Sequence, residues 1–135
     1  MRVVIDTNVL FAAFISRAGL CARVVEHVAS RETMICSQYI LHELHRHLLG
    51  KAKLSEAVTR EIVESLRSAS AVVEPTDVPA TDCRDPKDAP ILGTVVASGA
   101  QVLISGDKDL LVLGRYGGAE IVSPRQFVDR YALDA

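Results

Sequence analysis

Tryptophan is absent from this chain, and Phe, Tyr and Trp together make up only 4% of it, so the core must be built from Val, Leu, Ile and Ala. Cysteine is scarce. Cys21, Cys36 and Cys83 are an odd number with no C-x-x-C spacing, which excludes a disulfide framework and a zinc knuckle and predicts reduced thiols in a cytoplasmic protein. No apolar run reaches the ~20 residues of a transmembrane helix. The N-terminus lacks the basic segment, long apolar segment and cleavage site of a secretory signal, so no membrane role is expected. Positive charge is not in excess either. A formal net charge of −2 argues against nucleic-acid binding by bulk electrostatics, although Arg outnumbers Lys and suits local phosphate contacts. There is no P-loop and no G-x-G-x-x-G, so nucleotide-cofactor folds lack their phosphate cradle.

What is present is an ordinary globular composition, 49% hydrophobic and 24% charged over 135 residues. That predicts a single domain spanning 1–135. "RVVID", "TMICS", "AVVEP", "QVLISGD" and "AEIVS" read as short buried strands. Between them, "TNVLFAAFIS", "LCARVVEHVAS", "SQYILHELHRHLLG", "SEAVTREIVESLRSA", "APILGTVVASGA" and "SPRQFVDRYAL" carry apolar residues at helical spacing. Ser37, Ser55 and Ser123 stand as N-caps, with Pro124 at a first helical position. Strands alternating with amphipathic helices predict an α/β fold, a three-layer α/β/α sandwich on a central parallel sheet. One stretch breaks the pattern: "PTDVPATDCRDPKD" is polar, holds three prolines and is too long for an ordinary connection.

In open parallel sheets function sits beyond the carboxyl ends of the strands. Asp6 ends the first strand and Asp107 ends "VLISGD". Glu43 and Asp88 lie on helices that follow strands. Each has a bland reading. Asp6 can cap the next helix, Asp85 and Asp88 can form a capping box around Pro86, and Glu43 can pair with His47 on the surface. "SGDKDL" can be a tight turn. Four acids in matching positions, however, are more than independent caps require. Gathered in one cleft they would repel one another unless protonated or bridged by a cation. Oxygen-only ligation selects Mg²⁺ or Mn²⁺, and such a site suits hydrolysis of a phosphodiester by an activated water.

At this point the residues resemble a known family. "IDTNVLF", "HELHRHL", "RDPKDAPIL" and "ISGDKDLL" look like the four ordered motifs of the PIN-domain ribonucleases, particularly the VapC-like toxins of toxin–antitoxin systems. The resemblance implies a metal-dependent endoribonuclease with Asp6, Glu43, Asp88 and Asp107 as the catalytic and metal-holding acids. It implies that Asn8 and Ser105 steady Asp6 and the attacking water, and that Asp109 assists through water. It also implies an RNA substrate, a small antitoxin whose tail crosses the acidic cleft, and a homodimer, to which the helix around "ARVV" could contribute. The chain departs from the family at Pro90, where relatives often carry a polar residue. Ser105 replaces the threonine of many relatives but keeps the hydroxyl.

Other motifs fail on their residues. "HELHRH" is not H-E-x-x-H, because Arg46 takes the place of the second histidine. "DTNVL" lacks the second aspartate of haloacid-dehalogenase-type phosphatases, since Asn8 stands there. Neither "AVVEP" nor "AEIVS" offers the acid and lysine of a response-regulator receiver. Arg17, Arg84 and Arg115 fall in predicted loops, within reach of RNA phosphates but equally at home as solvated charges. Two rivals remain beside the ribonuclease: a catalytically weak PIN-fold module that binds RNA or protein, and a structure-selective DNA nuclease.

Overall fold

The computed structural model describes residues 1–131. Its sheet has six strands, β1 (Arg2–Ile5), β2 (Thr33–Ser37), β3 (Ala71–Val73), β4 (Val102–Ile104), β5 (Arg115–Tyr116) and β6 (Ala119–Val122), in the order β3-β2-β1-β4-β6-β5. The central strands are apolar on both faces: Val3, Val4 and Ile5, and Val102, Leu103 and Ile104, are all buried. That is the pattern of a parallel sheet covered on both sides. The five strands predicted from sequence, β1, β2, β3, β4 and β6, pair in parallel.

β5 departs from the expected all-parallel sheet. It runs antiparallel to β6, joined to it by Gly117 and Gly118, whose φ values of 55° and 86° suit a two-residue hairpin turn closed to most other residues. The sheet is therefore mixed, with one short antiparallel edge.

Among the described residues, seven helices connect and follow the strands: α1 (Thr7–Ile15), α2 (Leu20–Arg31), α3 (Gln38–Gly50), α4 (Glu56–Ser68), α5 (Ala89–Ser98), α6 (Lys108–Leu111) and α7 (Pro124–Tyr131). The last predicted helix was drawn to Leu133, and its final two residues lie outside the described residues. The expected caps form: Ser37 Oγ accepts from Ile40 N–H at 3.3 Å and Ser55 Oγ from Val58 N–H at 3.2 Å. Ser123 and Gln126 exchange two bonds in a reciprocal cap. Helices α1 to α4 pack on one another, α7 joins them through α2, and α5 packs on β1, β2 and β3. Progress across the sheet reverses after β3, so a right-handed crossover carries α5 to the opposite face. No single helix among the described residues is long and apolar enough to cross a membrane.

The proline-rich stretch contains two single 3₁₀ turns, Ala80–Asp82 and Pro86–Asp88, and is tied down along its length. Thr76 N–H donates to the Gly93 carbonyl at 3.0 Å. A Cβ at Gly93 would stand 2.2 Å from the Thr76 oxygen, so this approach of loop to helix requires glycine. Further along, Tyr116 donates its hydroxyl to Asp82, Arg84 pairs with Asp109 at 3.8 Å, and Tyr39 donates its hydroxyl to the Lys87 carbonyl at 3.1 Å. The segment that carries Asp88 is thus held against β5, α6 and α3.

Candidate active site

From adjacent β1 and β4 the chain departs in opposite directions across the sheet, which opens a crevice at their carboxyl ends. The sheet's hydrogen bonding runs on into this crevice. Asp6 N–H donates to the Ile104 carbonyl at 2.8 Å and Ser105 N–H to the Val122 carbonyl at 2.9 Å. Both residues therefore sit on the rigid end of the sheet rather than on a loose loop.

Asp6 is 7% exposed. One carboxylate oxygen accepts from Thr7 N–H at 2.7 Å and the other from the Ser105 hydroxyl at 2.7 Å. Burial pushes its carboxyl above the usual range, the two hydrogen bonds pull against that, and the Asp107 charge adds to the rise. Ser105 serves two acids, because its oxygen also accepts from Asp107 N–H at 3.0 Å. Asp107 in turn accepts from Asp109 N–H at 3.0 Å and caps α6. At Asp6 and Asp107, capping and cleft roles coincide in one side chain.

At Asp85 and Asp88 the two roles separate. Asp85 is the cap, accepting from Lys87 N–H at 3.0 Å. Asp88 makes no side-chain cap bond, is 8% exposed, and has its Oδ2 buried without a hydrogen-bond partner. Burial, then the charges of Asp107 and Asp6, push its carboxyl up to about 7. Ionising Asp88 in this setting leaves a buried charge that wants a cation.

Glu43 departs from the expected pairing with His47. Arg46 grips it instead, Nη2 to Oε1 at 2.7 Å and Nε to Oε2 at 3.2 Å, a two-pronged bond that lowers the carboxyl's pKa. His47 stands edge-on to Phe11, ring centroids 6.2 Å apart. Burial, Lys51 and Arg46 lower its pKa, which favours the neutral ring.

All four acids line one cleft of about 360 Å³, together with Asn8, Tyr39, His47, Lys51, Asp85 and Lys87. Ser105 acts from behind the wall through Asp6. Asp109 is not among the lining residues: it supports Asp107 with its backbone, while its carboxylate turns to Arg84. Arg17 and Arg115 are exposed away from the cleft. A larger groove of about 580 Å³ between α1, α2 and α4, walled by Phe14, Val25, Val58 and Ile62, holds none of the acids. Within "ARVV", Ala22 and Val25 face that groove while Val24 is buried in the core.

The donor set fits a hard divalent ion: carboxylate oxygens only, one of them orphaned, and mutual repulsion for a cation to relieve. A closed cage is not preformed, since among the described residues no group of three or more His, Cys, Asp or Glu side chains is arranged to hold a metal. Mg²⁺ does not require one. It keeps several waters and is commonly bound through one or two carboxylates together with substrate phosphates.

A family model described as "PIN domain" matches residues 2–109, a span that includes all four acids. This chain belongs to the PIN-domain family. No curated protein matches the sequence, but solved structures share the fold of this PIN domain. VapBC-1 from nontypeable Haemophilus influenzae aligns with TM-score 0.67 at 15% identity, over 93% of this chain and 99% of that one. DNA-bound VapBC from Salmonella typhimurium gives 0.63 at 20% identity, over 92% and 98%. VapBC2 from Rickettsia felis, bound to a DNA fragment from the promoter, gives 0.62 at 16% identity, over 91% and 98%.

Sequence reasoning missed part of this PIN domain's cleft. Tyr39 and His47 on α3 stand four residues either side of Glu43, and Lys51, the cap residue of that helix, stands eight beyond it, so positions 39, 43, 47 and 51 share one face. The four-residue spacing is a signal in the sequence, beside the apolar stripe of Ile40, Leu41, Leu44 and Leu48.

Proposed function

We propose that this PIN domain is a Mg²⁺- or Mn²⁺-dependent endoribonuclease, the toxin of a toxin–antitoxin pair acting in the cytoplasm. One observation carries the proposal: Asp6, Glu43, Asp88 and Asp107, from four separate segments, line a single cleft at the reversal point of the sheet. Asp6, Asp88 and Asp107 are the residues to hold the ion, with Glu43 joining once it leaves Arg46. When bound, the ion supplies a more acidic water and offsets charge that builds on the phosphate. Ser105 fixes the direction of Asp6 and the backbone of Asp107, as outer hydrogen bonds commonly do around a metal. Released from Arg46, the Glu43 carboxylate can instead accept a proton from the attacking water. Lys51 and Lys87 border the acids and supply the positive charge a phosphate backbone needs.

Membership of the PIN-domain family and the shared fold of three VapBC proteins support a small antitoxin as the partner. We also propose a homodimer, on the motif resemblance alone. The grip of Arg46 on Glu43 favours a second reading, a PIN-fold module that binds RNA or protein with little catalysis. Incubating purified protein with structured RNA and Mn²⁺, then with EDTA, and beside Asp6→Asn, separates the two. Cutting that disappears with chelation and with the substitution supports the nuclease. Cutting that survives either one rejects the metal mechanism, and tight binding without cutting favours the module. Flap DNA in parallel tests for a DNA nuclease.

A further inference from the structure

Beside the acidic cleft lies a second hollow of about 310 Å³, and the two share one residue, Tyr39. Pro75, Val78 and Pro90 give it apolar walls, and Thr76 and Asp77 give it two polar groups. Its volume is at the small end of ligand pockets. Its construction is firm. Thr76 is bonded to Gly93 at van der Waals limits, and the Tyr39 hydroxyl is bonded to the Lys87 carbonyl on the cleft side. Thr94 Oγ1 adds bonds to the Pro90 carbonyl at 2.8 Å and to Ser37 Oγ at 3.0 Å, locking the start of α5 to the end of β2.

We propose that this hollow is a nucleobase subsite, taking the base of a nucleotide next to the scissile phosphate, with Tyr39 as the stacking platform. The proposal rests on the ribonuclease reading for the phosphate's position. Chemistry and continuity choose the occupant. The acids and Lys87 on one side of Tyr39 suit a phosphate with its ion. Across Tyr39, apolar prolines and the tyrosine itself suit the flat face of a heterocycle. A carboxylate there repels phosphate, but Asp77 can accept from a base's exocyclic amino group, as acids do from cytosine N4. Pro90, at the start of α5, is part of the wall.

The test is a double-mutant cycle between protein and RNA. Thr76→Trp obstructs the hollow from an exposed position and spares the acids. An abasic substitution removes the base at either nucleotide flanking the cut. In Mn²⁺, the wild type should lose about tenfold or more in kcat/KM, mainly through KM, when one of the two bases is removed. Thr76→Trp should show the same loss on intact RNA and no further loss on abasic RNA. Tyr39→Phe should keep the base effect and Tyr39→Ala should abolish it, while Thr76→Trp leaves Mn²⁺ affinity unchanged. No abasic effect at either position, or the same abasic effect in Thr76→Trp as in wild type, overturns the subsite. If the wild type cuts no RNA, the nuclease reading fails by itself. The same cycle is then read by anisotropy of labelled RNA, where absence of binding, or of coupling, overturns the subsite as well.

Discussion

Asp88→Asn is expected to stabilise the ion-free protein, by an amount that grows with pH. Asp88 is 8% exposed with an orphaned oxygen, and its carboxyl is pushed up from 3.8 to about 7 by burial and by Asp107 and Asp6. A carboxyl that binds its proton more tightly folded than unfolded contributes stability while protonated. That contribution is fully present below the unfolded value of 3.8 and is lost as pH rises through about 7. At ~1.4 kcal/mol per tenfold change in proton affinity, full ionisation in place costs roughly 4–5 kcal/mol at most. The cost is less where the neighbouring acids share protons. Asparagine keeps the shape and removes the charge. The variant should therefore exceed wild type by ~2–4 kcal/mol near pH 8 and by about 1 kcal/mol or less near pH 4.5. Urea unfolding in EDTA at a series of pH values measures this, and adding Mg²⁺ should narrow the gap by stabilising wild type more. A variant no more stable than wild type near pH 8, or a gap that shrinks as pH rises, would refute the picture of carboxylates crowded without a counter-charge.

Three further outcomes follow from the same geometry. Ser105→Ala removes the hydroxyl shared by Asp6 and Asp107; it should cost ~1–3 kcal/mol of stability and weaken Mg²⁺ binding ~10–100-fold by calorimetry. Arg46→Gln frees Glu43 from an exposed ion pair, so stability should change by less than ~1 kcal/mol while Mg²⁺ binds more tightly; unchanged or weaker binding would remove Glu43 from the ion's ligands. Gly93→Ala forces a Cβ against the Thr76 oxygen and should lower stability by ~1–3 kcal/mol or more in thermal unfolding, a result that an unchanged melting temperature would contradict.

Much of the fold was legible because its rules are local. β-branched runs alternating with amphipathic helices mark a parallel sheet, and serine at a helix start is its own signal. Asp6 and Asp107 were legible for a related reason, since strand ends in such sheets converge at one edge. The antiparallel β5 went unread although Gly117 and Gly118 mark a hairpin, because a two-residue strand has no periodicity to detect. Glu43 was placed correctly on α3, but its partner was not, since Arg46 and His47 are both within reach of it on a helix and only side-chain rotamers choose between them. Asp85 and Asp88 look alike in "RDPKD", and only the fold tells which one caps and which keeps an orphaned oxygen. The bonds that hold the proline-rich stretch, Tyr116 to Asp82 and Tyr39 to Lys87, join residues 34 and 48 positions apart and leave no local trace.

The most direct measurement is a Mn²⁺ titration followed by loss of the free-ion electron paramagnetic resonance signal, in wild type and Asp6→Asn, across the pH range in which Asp88 ionises. The account predicts saturable binding by the wild type above about pH 7, weakening as protons compete at lower pH, and at least ~10-fold weaker binding in the variant. Equal binding by the two proteins, or none by the wild type, would contradict it.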